Sequence, residues 1–122
     1  KVSDMSGSVS YRTVNNIFIF ALDGYIEKSV SELFIDEFRR QWQNGIRRFL
    51  FDFTRVTMIN SVALAEVLEM VSEGIGESDS GFYVCAVPEK CHWGLSAIGL
   101  LNYMTEYSSL EEAGNELGVK LG

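Results

Sequence analysis

Two hydrophobic rhythms alternate along this chain, and the switches between them mark its elements. Ile17 to Leu22 is an unbroken apolar run, the pattern of a strand buried on both faces. Val30, Leu33, Phe34, Phe38 and Trp42 then recur at helical spacing. Ile46 to Phe53 returns to a strand pattern, and Leu64, Val67, Leu68 and Val71 to a helical one, over residues 61 to about 73. Phe82 to Val87 is a further apolar run, stopped at Pro88. Leu95, Ile98 and Leu101 share one side of a helix from about His92 to Leu101. Met104 to Tyr107 reads as a short edge strand. Ser109-Leu110-Glu111-Glu112 opens a last short helix, with acids where the helix dipole favours them. Upstream, Val9 to Val14 partly alternates and precedes Asn15-Asn16, a turn sequence between strands.

Local signals set the boundaries. Asp23-Gly24 breaks the second strand. Ser29, with Glu32 three residues on, has the form of a capping box. Asn44-Gly45 supplies a left-handed helix end, and Gly74 to Gly81 is a polar loop. The order β-β-α-β-α-β-α-β-α predicts an α/β domain: a mostly parallel mixed sheet of roughly four to five strands, about four helices and an initial hairpin. Residues 1–8, rich in Ser and Gly, read as a flexible N-terminal segment, and 9–118 as the domain.

Composition narrows the function. At 122 residues the chain is one domain, large enough for a core without disulfides. No apolar run approaches a membrane span, and the N-terminus lacks the apolar centre of a signal peptide. Two cysteines without a secretory signal fit a reducing cytoplasm. The first residue is Lys rather than Met, which fits a trimmed chain or a piece of a longer one. A net charge of −7 argues against nucleic acid, whose binding is dominated by phosphate neutralisation. The basic pairs Arg39-Arg40 and Arg47-Arg48 read as solvated surface.

A catalytic set does not emerge. One histidine, His92, cannot build a histidine metal cluster, and Cys91 beside it adds only one ligand. Gly74-Ile75-Gly76 lacks the third glycine of a dinucleotide fingerprint, and neither a phosphate-binding Gly-rich loop nor a Gly-x-Ser-x-Gly elbow is present. Cys85 reads as core packing. Asp52, at the end of an aromatic strand, reads as a partner for the backbone N–H groups of the following turn. No cofactor and no metal is expected.

The segment Met58-Ile59-Asn60-Ser61-Val62-Ala63-Leu64 carries the clearest functional signal. A hydroxyl sits where a helix begins, among unpaired N–H groups and at the positive end of a dipole. An anion is stabilised there. Ser61 is either part of a cap or a group that carries a phosphate. As a nucleophile of a small hydrolase it would need a neighbouring base, which only His92 could supply.

Over about residues 9 to 117 the chain resembles the STAS domain family, which includes bacterial anti-sigma-factor antagonists and regulatory domains of anion transporters. Leu22-Asp23-Gly24-Tyr25-Ile26, Phe51-Asp52-Phe53, Asn60-Ser61, the strand Phe82 to Ala86, Ile98-Gly99-Leu100 and Leu110-Glu111-Glu112-Ala113 carry the resemblance by their order and spacing. It implies a non-enzymatic, cytoplasmic binding domain. Ser61 falls on the serine phosphorylated by a partner kinase that is also the anti-sigma factor, and a phosphatase resets it. The partner-binding residues implied are Asp23, Gly24, Asn60, Ser61, Val62, Ala63 and Leu64. Asn60 stands where the family usually has Asp, Val62 where it has Ser or Thr, and Ala63 where it has Gly. The other implied role is a subunit or appended domain of a membrane transport assembly without a phosphoswitch. Phe18, Phe20, Phe49, Phe51 and Phe53 read as core, although a thinly covered sheet face could support a homodimer.

Overall fold

A computed structural model describes residues 7–121, so the part of the expected N-terminal segment at 1–6 lies outside the described residues. The elements are β1 (Ser8–Val14), β2 (Ile17–Ile26), α1 (Lys28–Gln43), β3 (Arg48–Ile59), α2 (Ser61–Gly74), β4 (Gly81–Cys85), α3 (Glu89–Ala97), a 3₁₀ turn (Leu100–Asn102), β5 (Thr105–Tyr107) and α4 (Leu110–Leu117). The order is the one expected. Ser8, expected in the flexible segment, opens β1.

The sheet runs β1-β2-β3-β4-β5, so neighbours in the chain are neighbours in space. β1 pairs antiparallel with β2 through Asn15-Asn16, both at positive φ, which is the geometry of a tight hairpin turn. The other pairs are parallel, each needing a crossover, and helices supply them. Phenylalanines meet across three strands. Phe49 pairs with Phe18 on one side and Phe82 on the other, and Phe51 pairs with Phe20 and Val84. Phe20 and Phe51 stack with centroids 4.7 Å apart, and α1 lays Phe34 and Phe38 on this floor. Phe18, Phe20, Phe49, Phe51 and Phe53 are all core, on the face covered by α1, α2 and α3. The opposite face is smaller: Ile17, Ile19, Leu50 and Cys85 under Ala113 of α4 and Leu121. Gly74 keeps the end of α2 close to this floor, since a Cβ there would lie 2.7 Å from the Phe82 ring and 2.8 Å from that of Trp42.

Several boundaries differ from the expectation. β2 runs through Asp23-Gly24 to Ile26, because register irregularities at Ala21/Asp23 and Gly24/Tyr25, with Gly24 at φ +81, absorb the break. β3 continues past Phe53 to Ile59 for want of any turn: it keeps β2 as partner beyond the end of β4. The capping box at Ser29 is not formed. Glu27 stands at the N-cap of α1 without a side-chain cap, because the chain passes from the last paired residue of β2 almost directly into the helix. Leu33, expected in the buried stripe of α1, is 59% exposed. β4 ends at Cys85 and α3 starts at Glu89, after Ala86 in the left-handed region and Pro88 at the cap. Asn44-Gly45 and Ser109 end and cap their helices as expected.

Asp52 takes a structural role, as read from the sequence, but with a backbone N–H inside β3 rather than one of a following turn. Its Oδ1 accepts from the Thr54 N–H at 2.9 Å and from the Thr54 hydroxyl. Cys85 donates to the same oxygen, and burial with that carboxylate beside it pushes the thiol up to about 12. Burial also pushes Cys91 up. Both thiols therefore stay protonated near neutrality, and the thiolate is the reactive form. At pH 8 the folded protein is expected to take no iodoacetamide, and the denatured protein two equivalents, by intact mass. A raised folded value means that Cys85 contributes stability in full below its ordinary 9.0, lost as pH rises toward 12. Denaturation midpoints measured from pH 8 to 11 should fall for the wild type, and less for Cys85→Ala.

Candidate functional site

The long β2–β3 pair sets the position of the site. Ile26 pairs with Ile59, and the Asn60 N–H donates to the Ile26 carbonyl at 3.0 Å. The starts of α1 and α2 thus stand side by side at the carboxyl end of the parallel strands. Asn60 is the N-cap of α2: its Oδ1 accepts from the Ala63 N–H at 2.9 Å, and its carbonyl accepts from the Leu64 N–H. The cap is therefore complete without Ser61. Ser61 is the first residue of the helix and is exposed. Sequence alone left it either capping the helix or presenting a hydroxyl, and Asn60 takes the first task.

The neighbouring residues divide sharply. Val62 is 47% exposed, while Ala63 is fully buried and Leu64 nearly so, in the core beneath α2. Ser61 and Val62 thus face solvent at this tip, whereas Ala63 and Leu64 hold the helix down. Asp23 and Gly24 lie further back along the same ribbon, opposite Arg55 and Val56. Asp23 accepts from Arg55 Nε at 2.6 Å, and this bond, with the attraction of the two charges, raises the Arg55 guanidinium above its ordinary value.

His92 is not brought to Ser61. On α3 it faces β5, with Nε2 3.0 Å from Glu106 Oε1, while Cys91, on the core side, is buried. The serine–histidine pair that a hydrolase needs is not assembled. Among the described residues no group of three or more His, Cys, Asp or Glu is placed to hold a metal ion, and no helix is long and apolar enough to cross a membrane.

Two seams flank α2, and they differ in character. Toward α1 they are charged: Glu66 accepts from the fully buried Ser31, and Glu73 takes Arg39 in a two-point contact. Toward α3 the contact is apolar, with Gly94 against Leu64, where a Cβ would stand 3.0 Å from Cδ1. Trp93, next to Gly94, is 78% exposed. The reading of the sequence did not single out Trp93. Its helical offset from Cys91 and Leu95 was the available signal, because it places the ring opposite the buried side of α3.

Substitutions at two positions probe the backbone. Asn60→Ala should cost about 1 kcal/mol in urea unfolding through the lost cap, and Asn60→Asp should restore it. Ala86 holds φ +58. Ala86→Gly should therefore not destabilise, and should gain up to about 1 kcal/mol after the extra freedom of the unfolded glycine is set against the relieved strain.

The family model of the STAS domain matches residues 8–113. No curated protein matches the chain. Solved structures do. A Thermotoga maritima protein assigned as an anti-sigma factor antagonist has 20% identity and a TM-score of 0.78, over 90% of this chain and 94% of that one. An anti-sigma factor antagonist from Mycobacterium paratuberculosis has 15% identity and a TM-score of 0.78, over 93% and 95%. The Bacillus cell fate determinant SpoIIAA in its phosphorylated form has 15% identity and a TM-score of 0.72, over 89% and 98%. At these identities the likeness is one of fold.

Proposed function

The chain belongs to the STAS domain family, and from that premise we propose that it is an anti-sigma-factor antagonist-like binding domain, switched by phosphorylation of Ser61. The observation that carries the reading is the division of labour at the start of α2. Asn60 caps the helix, and the Ser61 hydroxyl stands exposed at its first residue, free for another task.

The chemistry is a phosphoryl transfer performed by the partner, an anti-sigma factor that is also a serine kinase. The Ser61 Oγ attacks the γ-phosphorus of ATP held by that partner. The bond to the β–γ bridging oxygen breaks, ADP leaves, and the hydroxyl proton passes to a base of the kinase. The product adds roughly −1.5 to −2 charges at neutral pH. This chain tolerates them, since the positive end of the α2 dipole faces the phosphate. A partner surface fitted to a neutral hydroxyl does not, because it would have to desolvate the new charge. The unphosphorylated form binds, the phosphorylated form releases, and a phosphatase hydrolyses the ester to reset the switch. Such a partner places the chain in the cytoplasm, where ATP is available.

With ATP and lysate from its native organism, the wild type is expected to gain one phosphoryl group by intact mass and Ser61→Ala none. Ser61→Asp should lower capture of the kinase at least tenfold with an unchanged thermal midpoint. No mass gain, with the lysate active on another substrate, would overturn the switch and favour a constitutive module of a larger assembly.

A further inference from the structure

The sheet has two edges, and they are unequal. β5 is three residues long, too short to template a further strand. β1 is seven residues long and, among the described residues, pairs on one side only, with β2. Its register from Val14↔Ile17 to Ser8↔Asp23 is unbroken, so no bulge turns the edge away. Sheets usually protect such an edge with proline, lysine or a bulge. Ser8-Val9-Ser10-Tyr11-Arg12-Thr13-Val14 has neither proline nor lysine, and no acid either, in a chain of net charge −7. Its one charge, Arg12, is turned to the second face, where Nη2 donates to the Leu121 carbonyl at 2.8 Å. Gly7 lies against the Tyr25 carbonyl of β2 rather than across the edge.

The phase of the backbone decides what this edge offers. The residues flanking a two-residue hairpin turn form a hydrogen-bonded pair, and such pairs alternate along the ladder. Val14, Arg12, Ser10 and Ser8 therefore direct their N–H and C=O groups to β2, and Thr13, Tyr11 and Val9 direct theirs outward. Tyr11 is the middle of the strand. A two-fold axis there sets Tyr11 opposite Tyr11, Val9 opposite Thr13, Ser10 opposite Arg12 and Ser8 opposite Val14. No like charges meet, and every outward backbone group finds a partner.

The side chains above the edge repeat the match. Tyr11 ends the aromatic floor, its ring 5.7 Å from Phe18 and 5.9 Å from Phe20, and it is 39% exposed. It lies close enough to α1 to feel the charges of Glu37 and Arg40 and, less strongly, Asp36. Leu33, Glu37 and Arg40 follow at steps of four and three on one helix face, and Leu33 is 59% exposed. A two-fold axis at Tyr11 sets the two α1 helices in opposite directions on one side of the sheet, so that acid and base of one copy face base and acid of the other.

We propose that β1 is the docking edge for a second copy of this chain, the two strands pairing antiparallel about Tyr11 into one continuous sheet. The occupant is fixed by self-complementarity: the backbone phase, the side-chain pairs and the charges of α1 each match their own reverse. The two Tyr11 rings stand on the same face and join the phenylalanine floors of both copies. The start of α2 takes no part in the pairing, so the proposal stands apart from the Ser61 reading.

Light scattering of the full chain from about 1 μM to about 1 mM should show the mass rising from one copy to two, as a small interface dictates. Thr13→Pro removes an outward N–H and leaves the β1–β2 ladder intact, and Tyr11→Lys places two like charges on the axis. Each should raise the dissociation constant at least tenfold with an unchanged thermal midpoint in dilute solution. Ser10 and Arg12 of the two copies form a closely spaced pair, so a mixture of Ser10→Cys and Arg12→Cys chains should give a mixed disulfide under mild oxidation, and either chain alone far less. A monomer at every concentration overturns the proposal and leaves the edge to a strand of another protein or to residues 1–6 of this chain. A dimer indifferent to both variants overturns this edge as its interface. A dimer that both variants weaken but that gives no mixed disulfide overturns the axis at Tyr11.

Discussion

The stacking of phenylalanines across β2, β3 and β4 is the constraint on which the rest of this structure depends. Phe18, Phe49 and Phe82 form one row and Phe20, Phe51 and Val84 the next, in strict register. Rings in contact across strands stabilise the pairing and fix it against slippage, since a shift by one residue would send every ring to the other face. The same rows are the floor for Phe34 and Phe38 of α1 and for the end of α2 at Gly74. With that floor fixed, the direction of α2 is fixed, and so is the point in space where its first residue emerges.

Sequence patterns revealed the fold because most of its elements obey a single period. The strand at Ile17 is buried on both faces and reads as a continuous apolar run, and the stripe Leu64, Val67, Val71 reads as a helix. The second half of β3 obeys neither rule. Its buried residues, Phe53, Val56 and Ile59, are three apart, a spacing that suits neither an alternating strand nor a regular helix. The matching irregularities lie in β2, at Ala21/Asp23 and Gly24/Tyr25, thirty residues earlier in the chain. Only the pairing of the two strands makes sense of the pattern, so reading either one alone ends both too early.

The site shows the same division. Helix-start chemistry placed Asn60 and Ser61 correctly, because capping is local. The outward position of Leu33 and the burial of Ala63 were not legible, since each depends on which neighbour occupies the adjoining space. Trp93 differs: it lies off the stripe Leu95, Ile98 and Leu101, so its outward position follows from helical offset alone.

The agreement of chain order with strand order has a consequence for biosynthesis. A strand leaving the ribosome finds its neighbour already made, and each parallel pair closes over a single intervening helix. Each parallel pair still has to close a long loop before its contacts form, which is slower than closing a hairpin, and domains form from their N-terminal end during synthesis. The exception is the cover of the second face, Ala113 and Leu121, which is translated last while Ile17, Ile19 and Leu50 wait uncovered. The nascent domain is therefore most exposed to aggregation in the interval before α4 and Leu121 are made, when the start of α2 that bears Ser61 is already formed.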